Sequence, residues 1–139
     1  MKALLDTCVI MDHLQKREPF HAAAKEILTM AATEQVQAYT TAKAVTDMYY
    51  ILHRATHDDT QTRSILAQLL KIIGILDTKG MDCKAALLSP IGDYEDAVMT
   101  ETAVRSGMDC IVTRNERDYN KAPIPVYTPE KFVLYVKSD

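Results

Sequence analysis

Glycine and proline are scarce in this 139-residue chain, at four and five residues, and tryptophan is absent. That scarcity leaves no room for a flexible linker or a low-complexity tract, and no internal repeat is visible. Cysteine is limited to Cys8, Cys83 and Cys110, an odd number without metal-ligand spacing. A disulfide scaffold and a cysteine zinc site are therefore excluded, and free thiols in a reducing cytoplasm are expected. The four histidines are scattered. His53 and His57 stand four apart beside Arg54 and Asp58, which suits surface residues near a helix end rather than a zinc pair. There is no apolar run of about 18 residues and no charged segment followed by an apolar one, so neither membrane insertion nor export is expected.

An excess of positive charge is also missing. The net charge is −3, which does not suggest a protein that coats nucleic acid. It does not exclude one that cuts nucleic acid. A carboxylate site lowers the pI by its own presence, and bound metal ions reverse the local sign. Only a local basic rim is then needed, and Arg114, Arg117 and Lys121 cluster late in the chain.

What is present is ordinary for a globular fold: 47% apolar and 25% charged residues, enough for one domain over 1–139 with its own core. The pattern alternates strands and helices. Residues 2–5 read as a buried strand, followed by helices near 8–16 and 20–33 and a strand around 37–39. Thr40 or Thr41 caps a helix running to about 55. Another helix starts at Asp58-Asp59, with Ile65, Leu66, Leu69, Leu70 and Ile73 in helical spacing. A short strand at Ile75-Leu76, helices over 81–88 and 93–106, and strands at 110–113 and 126–127 follow. Thr128-Pro129-Glu130 opens a closing helix. Such alternation implies an α/β fold, a parallel central sheet flanked by helices on both faces.

The acids carry the chemistry. Asp6 follows the first strand, where ligand sites of open parallel sheets lie; it can equally turn the chain and cap the next helix. At about 3.6 residues per turn, Asp93 and Asp96 share the helix face of Ala97, Thr100, Ala103 and Val104. Carboxylates on an inward, small-residue face cost several kcal/mol unless paired or bound to a cation. Helix-dipole stabilisation is the plainer explanation, and Asp93 also suits an N-cap. Asp47 borders the apolar stripe Ala44, Val45, Met48, Ile51 and Leu52, or simply pairs with Lys43. Asp118 closes a strand-end loop in which Thr113 and Asn115 add neutral oxygens, though Asn and Asp are also ordinary turn residues. Acids at strand ends and helix starts can converge on one crevice and hold a hard metal ion, which points to a metal-dependent nuclease.

With these residues in view, the chain resembles the PIN-domain ribonucleases, especially the toxins of VapBC-type toxin–antitoxin modules. The matching segments are Leu4-Leu5-Asp6-Thr7, Asp93-Tyr94-Glu95-Asp96-Ala97, Ile111 through Asp118, and Thr128 through Phe132. The resemblance implies hydrolysis of RNA phosphodiesters with Mg²⁺ or Mn²⁺, a small antitoxin that blocks the acidic crevice, and a homodimer. It assigns metal binding to Asp6 and Asp96, with Asp118 and Asp93 beside them. Asp47 takes the place of the usual glutamate, one methylene shorter. Thr113 and Asn115 would orient water or phosphate, and Arg114 and Arg117 would contact the RNA backbone. Two alternatives are a PIN-like RNA-binding or regulatory module that no longer cleaves, and a haloacid-dehalogenase-like phosphatase. The latter needs an acid two residues after Asp6, where Cys8 stands.

Overall fold

A computed structural model describes residues 1–138. Its five strands are β1 (Lys2–Leu5), β2 (Gln37–Thr41), β3 (Gly74–Leu76), β4 (Cys110–Val112) and β5 (Val126–Tyr127). They form one sheet in the order β3-β2-β1-β4-β5, every neighbouring pair parallel. The expected α/β architecture is what is observed. Chain order runs outward from β1 to β3, then returns to the other side of β1 at β4. The switch between β1 and β4 opens a crevice beyond their carboxyl ends.

The helices are α1 (Thr7–Leu14), α2 (His21–Ala32), α3 (Ala42–Thr56), α4 (Asp59–Leu69), α5 (Gly80–Ala86), α6 (Tyr94–Arg105) and α7 (Pro129–Lys137). A 3₁₀ turn spans Glu116–Tyr119. Successive strand residues point to opposite faces, and the core divides accordingly. Ala3, Leu5, Cys110 and Val112 pack with α1–α4 and α7 in the larger cluster. Leu4 and Ile111 face the other way, against Ala103 of α6, Met108 and Tyr119.

Local chemistry sets most boundaries. Thr41 Oγ1 accepts from Ala44 N at 3.2 Å and starts α3; of the two expected caps, the second is used. Asp58 caps α4, and Thr128 caps α7. Gly107, at φ 74°, lets the chain leave α6. A Cβ at Gly74 would lie 2.7 Å from the Tyr39 ring, so β2 and β3 can approach only with glycine there. Two expectations need adjusting. The helix expected over 81–88 spans Gly80–Ala86, because Leu87 onward folds as turns. The one expected over 93–106 begins at Tyr94, because Asp93 is its extended N-cap.

Candidate active site

Asp6 ends the run of β1. Its backbone is extended and its N–H donates to Val112 O at 2.9 Å, continuing the β1–β4 ladder by one residue. Both carboxylate oxygens are held by neutral donors: Oδ1 accepts from Thr7 N at 2.8 Å, and Oδ2 from Thr113 Oγ1 at 2.7 Å. The strand ends at the topological switch are thereby tied to one another. Thr113 is buried and also accepts from Asn115 N at 3.0 Å, so a single hydroxyl fixes both Asp6 and the turn after β4.

Asp96 approaches from α6. Asp93 Oδ1 accepts from Asp96 N at 3.0 Å, so of the two readings of Asp93 the N-cap holds and the inward facing does not: Asp93 is exposed, and Asp96 is half-buried. Asp96 Oδ1 accepts from Tyr119 Oη at 2.9 Å. Burial, reinforced by the charges of Asp93, Asp6 and Asp118, pushes the Asp96 carboxyl up to about 6 despite that hydrogen bond. Tyr119 is only 1% exposed, and burial with the nearby Asp6 and Asp96 charges pushes its phenol far up, so it stays a donor. Four acids thus share one electrostatic neighbourhood, and no arginine or lysine pairs with Asp6 or Asp96 among the described residues.

A crevice of about 670 Å³ lies between α3 and α6, and Asp6, Asp47 and Asp96 line it. Asp47 has a partner: Lys43 Nζ reaches it at 2.8 Å and reaches Glu95 at 3.3 Å. Asp118, Asn115 and Arg117 are exposed on the loop after β4. Arg114 lies elsewhere than expected. Its Nε sits 2.7 Å from Asp12 Oδ2, its Nη2 donates to Oδ1 at 3.3 Å, and its guanidinium lies 4.1 Å from the centroid of the Phe20 ring. The Nε contact is an ion pair that lacks hydrogen-bond alignment. Asp12 is fully buried, so Arg114 is bound to the inside of the fold rather than presented to a ligand.

Sequence reasoning missed Asp12, Tyr119 and the bridging role of Lys43. For Tyr119 a signal existed: a bulky aromatic in an otherwise polar loop calls for a burial site.

Among the described residues, no three acids, histidines or cysteines draw close enough to hold a metal ion by themselves. The donor set nonetheless suits a hard cation. Mg²⁺ is commonly held by one or two carboxylates with water completing its shell, and Asp6 and Asp96 are two such carboxylates with only neutral hydrogen-bond partners.

The PIN-domain family model matches residues 2–117, from β1 through α6 and β4 into the following turn. The chain belongs to the PIN-domain family. No curated protein sequence matches this PIN domain. Several solved structures do. VapBC2 of Rickettsia felis, bound to a DNA fragment from its promoter, is 17% identical with a TM-score of 0.66, covering 91% of this chain and 97% of that one. A toxin–antitoxin complex from Klebsiella pneumoniae is 23% identical at TM-score 0.66, again with 91% and 97% covered. VapC20 of Mycobacterium tuberculosis, described as a toxin that cleaves the sarcin–ricin loop, is 13% identical at TM-score 0.60, with 78% and 86% covered. At these identities the likeness is one of fold, and it spans nearly the whole PIN domain.

Proposed function

We propose that this PIN domain is a metal-dependent endoribonuclease that hydrolyses RNA phosphodiester bonds, and the toxin of a toxin–antitoxin pair. The observation that carries the reading is the pair Asp6 and Asp96, two uncompensated carboxylates at the topological switch of a PIN fold. VapC20 supports the choice of RNA as substrate, and the toxin–antitoxin complexes support a small antitoxin partner.

Asp6 and Asp96 are the residues that would hold Mg²⁺ or Mn²⁺, with Asp118 and Asp93 beside them. A bound divalent ion supplies an acidified water and neutralises charge on the phosphate. The chain's own groups do the rest. Thr113 orients Asp6, and Tyr119 holds Asp96 in place. Asn115 and Arg117 are exposed on the loop after β4, where Asn115 would orient water or phosphate and Arg117 would contact the RNA backbone. Asp47 is a further acid of the crevice, with Glu95 beside it, and becomes available once Lys43 is drawn to substrate. The antitoxin would cover this crevice, and the domain would act as a homodimer.

One observation favours a second reading, a PIN-like module that binds RNA without cutting it: Lys43 already occupies the Asp47 carboxylate. A haloacid-dehalogenase-like phosphatase has no such support, because the second acid it requires is Cys8, a half-buried thiol pushed up by burial. The deciding experiment is cleavage of an RNA panel with Mg²⁺, with Mn²⁺ and with chelator. Wild type should cut only with metal, and Asp6→Asn should not cut. Full activity in purified Asp6→Asn rejects the assignment.

A further inference from the structure

The crevice holds more than acids. Its walls also carry Tyr50, Ile51 and Arg54 from α3, and Tyr94, Val98 and Met99 from α6. Lys43, Asp47, Tyr50, Ile51 and Arg54 recur at helical spacing, so one face of α3 looks into the crevice. The two tyrosines are unusually open for aromatic side chains, Tyr50 at 67% exposure and Tyr94 at 47%. Neither ring is loose. Tyr94 Oη donates to Cys83 O at 2.9 Å. Tyr50 packs edge-on against Tyr49 with centroids 5.7 Å apart, and Tyr49 is itself stacked on His53 and hydrogen-bonded to Asp59. Rings already fixed in place lose little entropy on binding a flat ligand.

Two cations, Lys43 and Arg54, stand on the wall that carries the Tyr50 ring. Lys43 spans Asp47 and Glu95, one positive charge shared between two acids of the rim. Arg54 is exposed on the same wall. A fixed aromatic face beside a cation is the arrangement that holds single-stranded nucleic acid, because every base has a π-face to stack and every linkage a phosphate to meet. Paired bases inside a duplex have no free face to offer.

We propose that Tyr94 and Tyr50 form a stacking subsite for unpaired bases flanking the phosphate presented to Asp6 and Asp96. The inference rests on the reading of this crevice as an RNA site. It goes further in naming the side chains that hold the bases. Tyr94 lines the same crevice as Asp6 and Asp96, so a base on its ring shares that crevice with the phosphate at the acids.

The test measures binding separately from cutting. In the full-length Asp6→Asn background, the affinity of a short fluorescent oligoribonucleotide is measured by anisotropy. It is compared with the same strand annealed to its complement and with the same strand carrying abasic positions. The single strand should bind at least tenfold more tightly than the duplex. Tyr94→Ala and Tyr50→Ala should each weaken it by roughly tenfold, while Tyr94→Phe, which keeps the ring, should stay near the parent value. Abasic substitution should weaken binding to the parent protein but add little to Tyr94→Ala, since ring and base are one interaction. Duplex binding as tight as single-strand binding overturns the proposal. So does unchanged affinity in both alanine variants, or a change of oligomeric state in Tyr94→Ala without a change in RNA affinity, which would make the wall a face for a second copy. If binding follows the expected pattern but wild type cuts no RNA with any metal, the subsite stands and the nuclease reading fails. If wild type cuts and the tyrosine variants bind and cut as well, the subsite alone fails.

Discussion

Asp12 and Asp96 sit on helices at opposite sides of β1, and their surroundings differ in one respect that matters. Asp12 is fully buried and faces two arginines, Arg114 with Nε at 2.7 Å and Arg17 at 3.9 Å. Asp82, also buried, receives Arg105 Nε at 2.8 Å. Asp96 is less buried, yet it has a tyrosine for a partner and other aspartates for neighbours. Where the fold needs a carboxylate inside, it supplies a guanidinium. Where it leaves carboxylates together without one, the missing cation must come from outside. Burial alone therefore does not mark the site; the absence of compensation does.

Breaking the compensated side should have the largest effect on stability. Asp12→Ala strands Arg114 beside Phe20 and should cost about 3–5 kcal/mol, read from urea unfolding midpoints. It should also loosen the loop that carries Asn115 and Asp118. Asp96→Asn, by contrast, should leave the metal-free protein as stable as wild type or more so.

The two kinds of aspartate should also respond to pH in opposite directions. Arg105 beside Asp82 holds its carboxyl below the usual range. Its contribution is therefore present above the ordinary carboxylate value of 3.8 and is lost as pH falls through its lower folded value. Asp96 is raised from 3.8 to about 6, so the folded state binds the extra proton between those values. Metal-free stability should decline as pH rises across that window and level off above it. Urea midpoints from acidic to neutral pH should show the decline in wild type and not in Asp96→Asn. Asp82→Asn should lose less stability than Asp12→Ala, and only above the acid range.

Asp47 lies between the two classes, and the smallest effect is expected there. As an exposed i,i+4 partner of Lys43 it should contribute about 0.2–0.5 kcal/mol. If it also serves the crevice, Asp47→Ala should slow cleavage by more than that figure accounts for, and Asp47→Glu should keep or raise the rate. Equal, wild-type rates for both variants at saturating Mn²⁺ would remove Asp47 from the site.

The difference between these acids also explains how much of the molecule could be read from its residues. The parallel sheet was legible because β1 and β4 are short apolar runs ending in Asp6 and Thr113, and such runs bounded by turn residues leave few alternatives. Asp96 was legible from helical spacing alone. Asp93 reads both as an inward-facing acid and as an N-cap; the cap is what forms, because spacing gives a direction only inside a helix and Asp93 lies just outside it. Arg114 could not be placed: its partner Asp12 is far away in sequence and sits in α1 among Val9, Ile10 and Met11, where one acid looks like a solvent-facing residue. Asp82 and Arg105 pose the same difficulty, since they meet only once α5 packs on α6. Pairings made by tertiary packing leave no periodic trace, whereas acids placed by strand ends and helix faces do.

The central claim is that Asp6 and Asp96 form a carboxylate pair awaiting a divalent cation. Its most direct measurement is the melting temperature at neutral pH with and without millimolar Mg²⁺ or Mn²⁺, in wild type, Asp96→Asn and Asp47→Ala. Metal should raise the melting temperature of wild type by mass action, nearly as much that of Asp47→Ala, and not that of Asp96→Asn. A wild-type melting temperature that does not move with either metal, or a rise of equal size in Asp96→Asn, would contradict the claim.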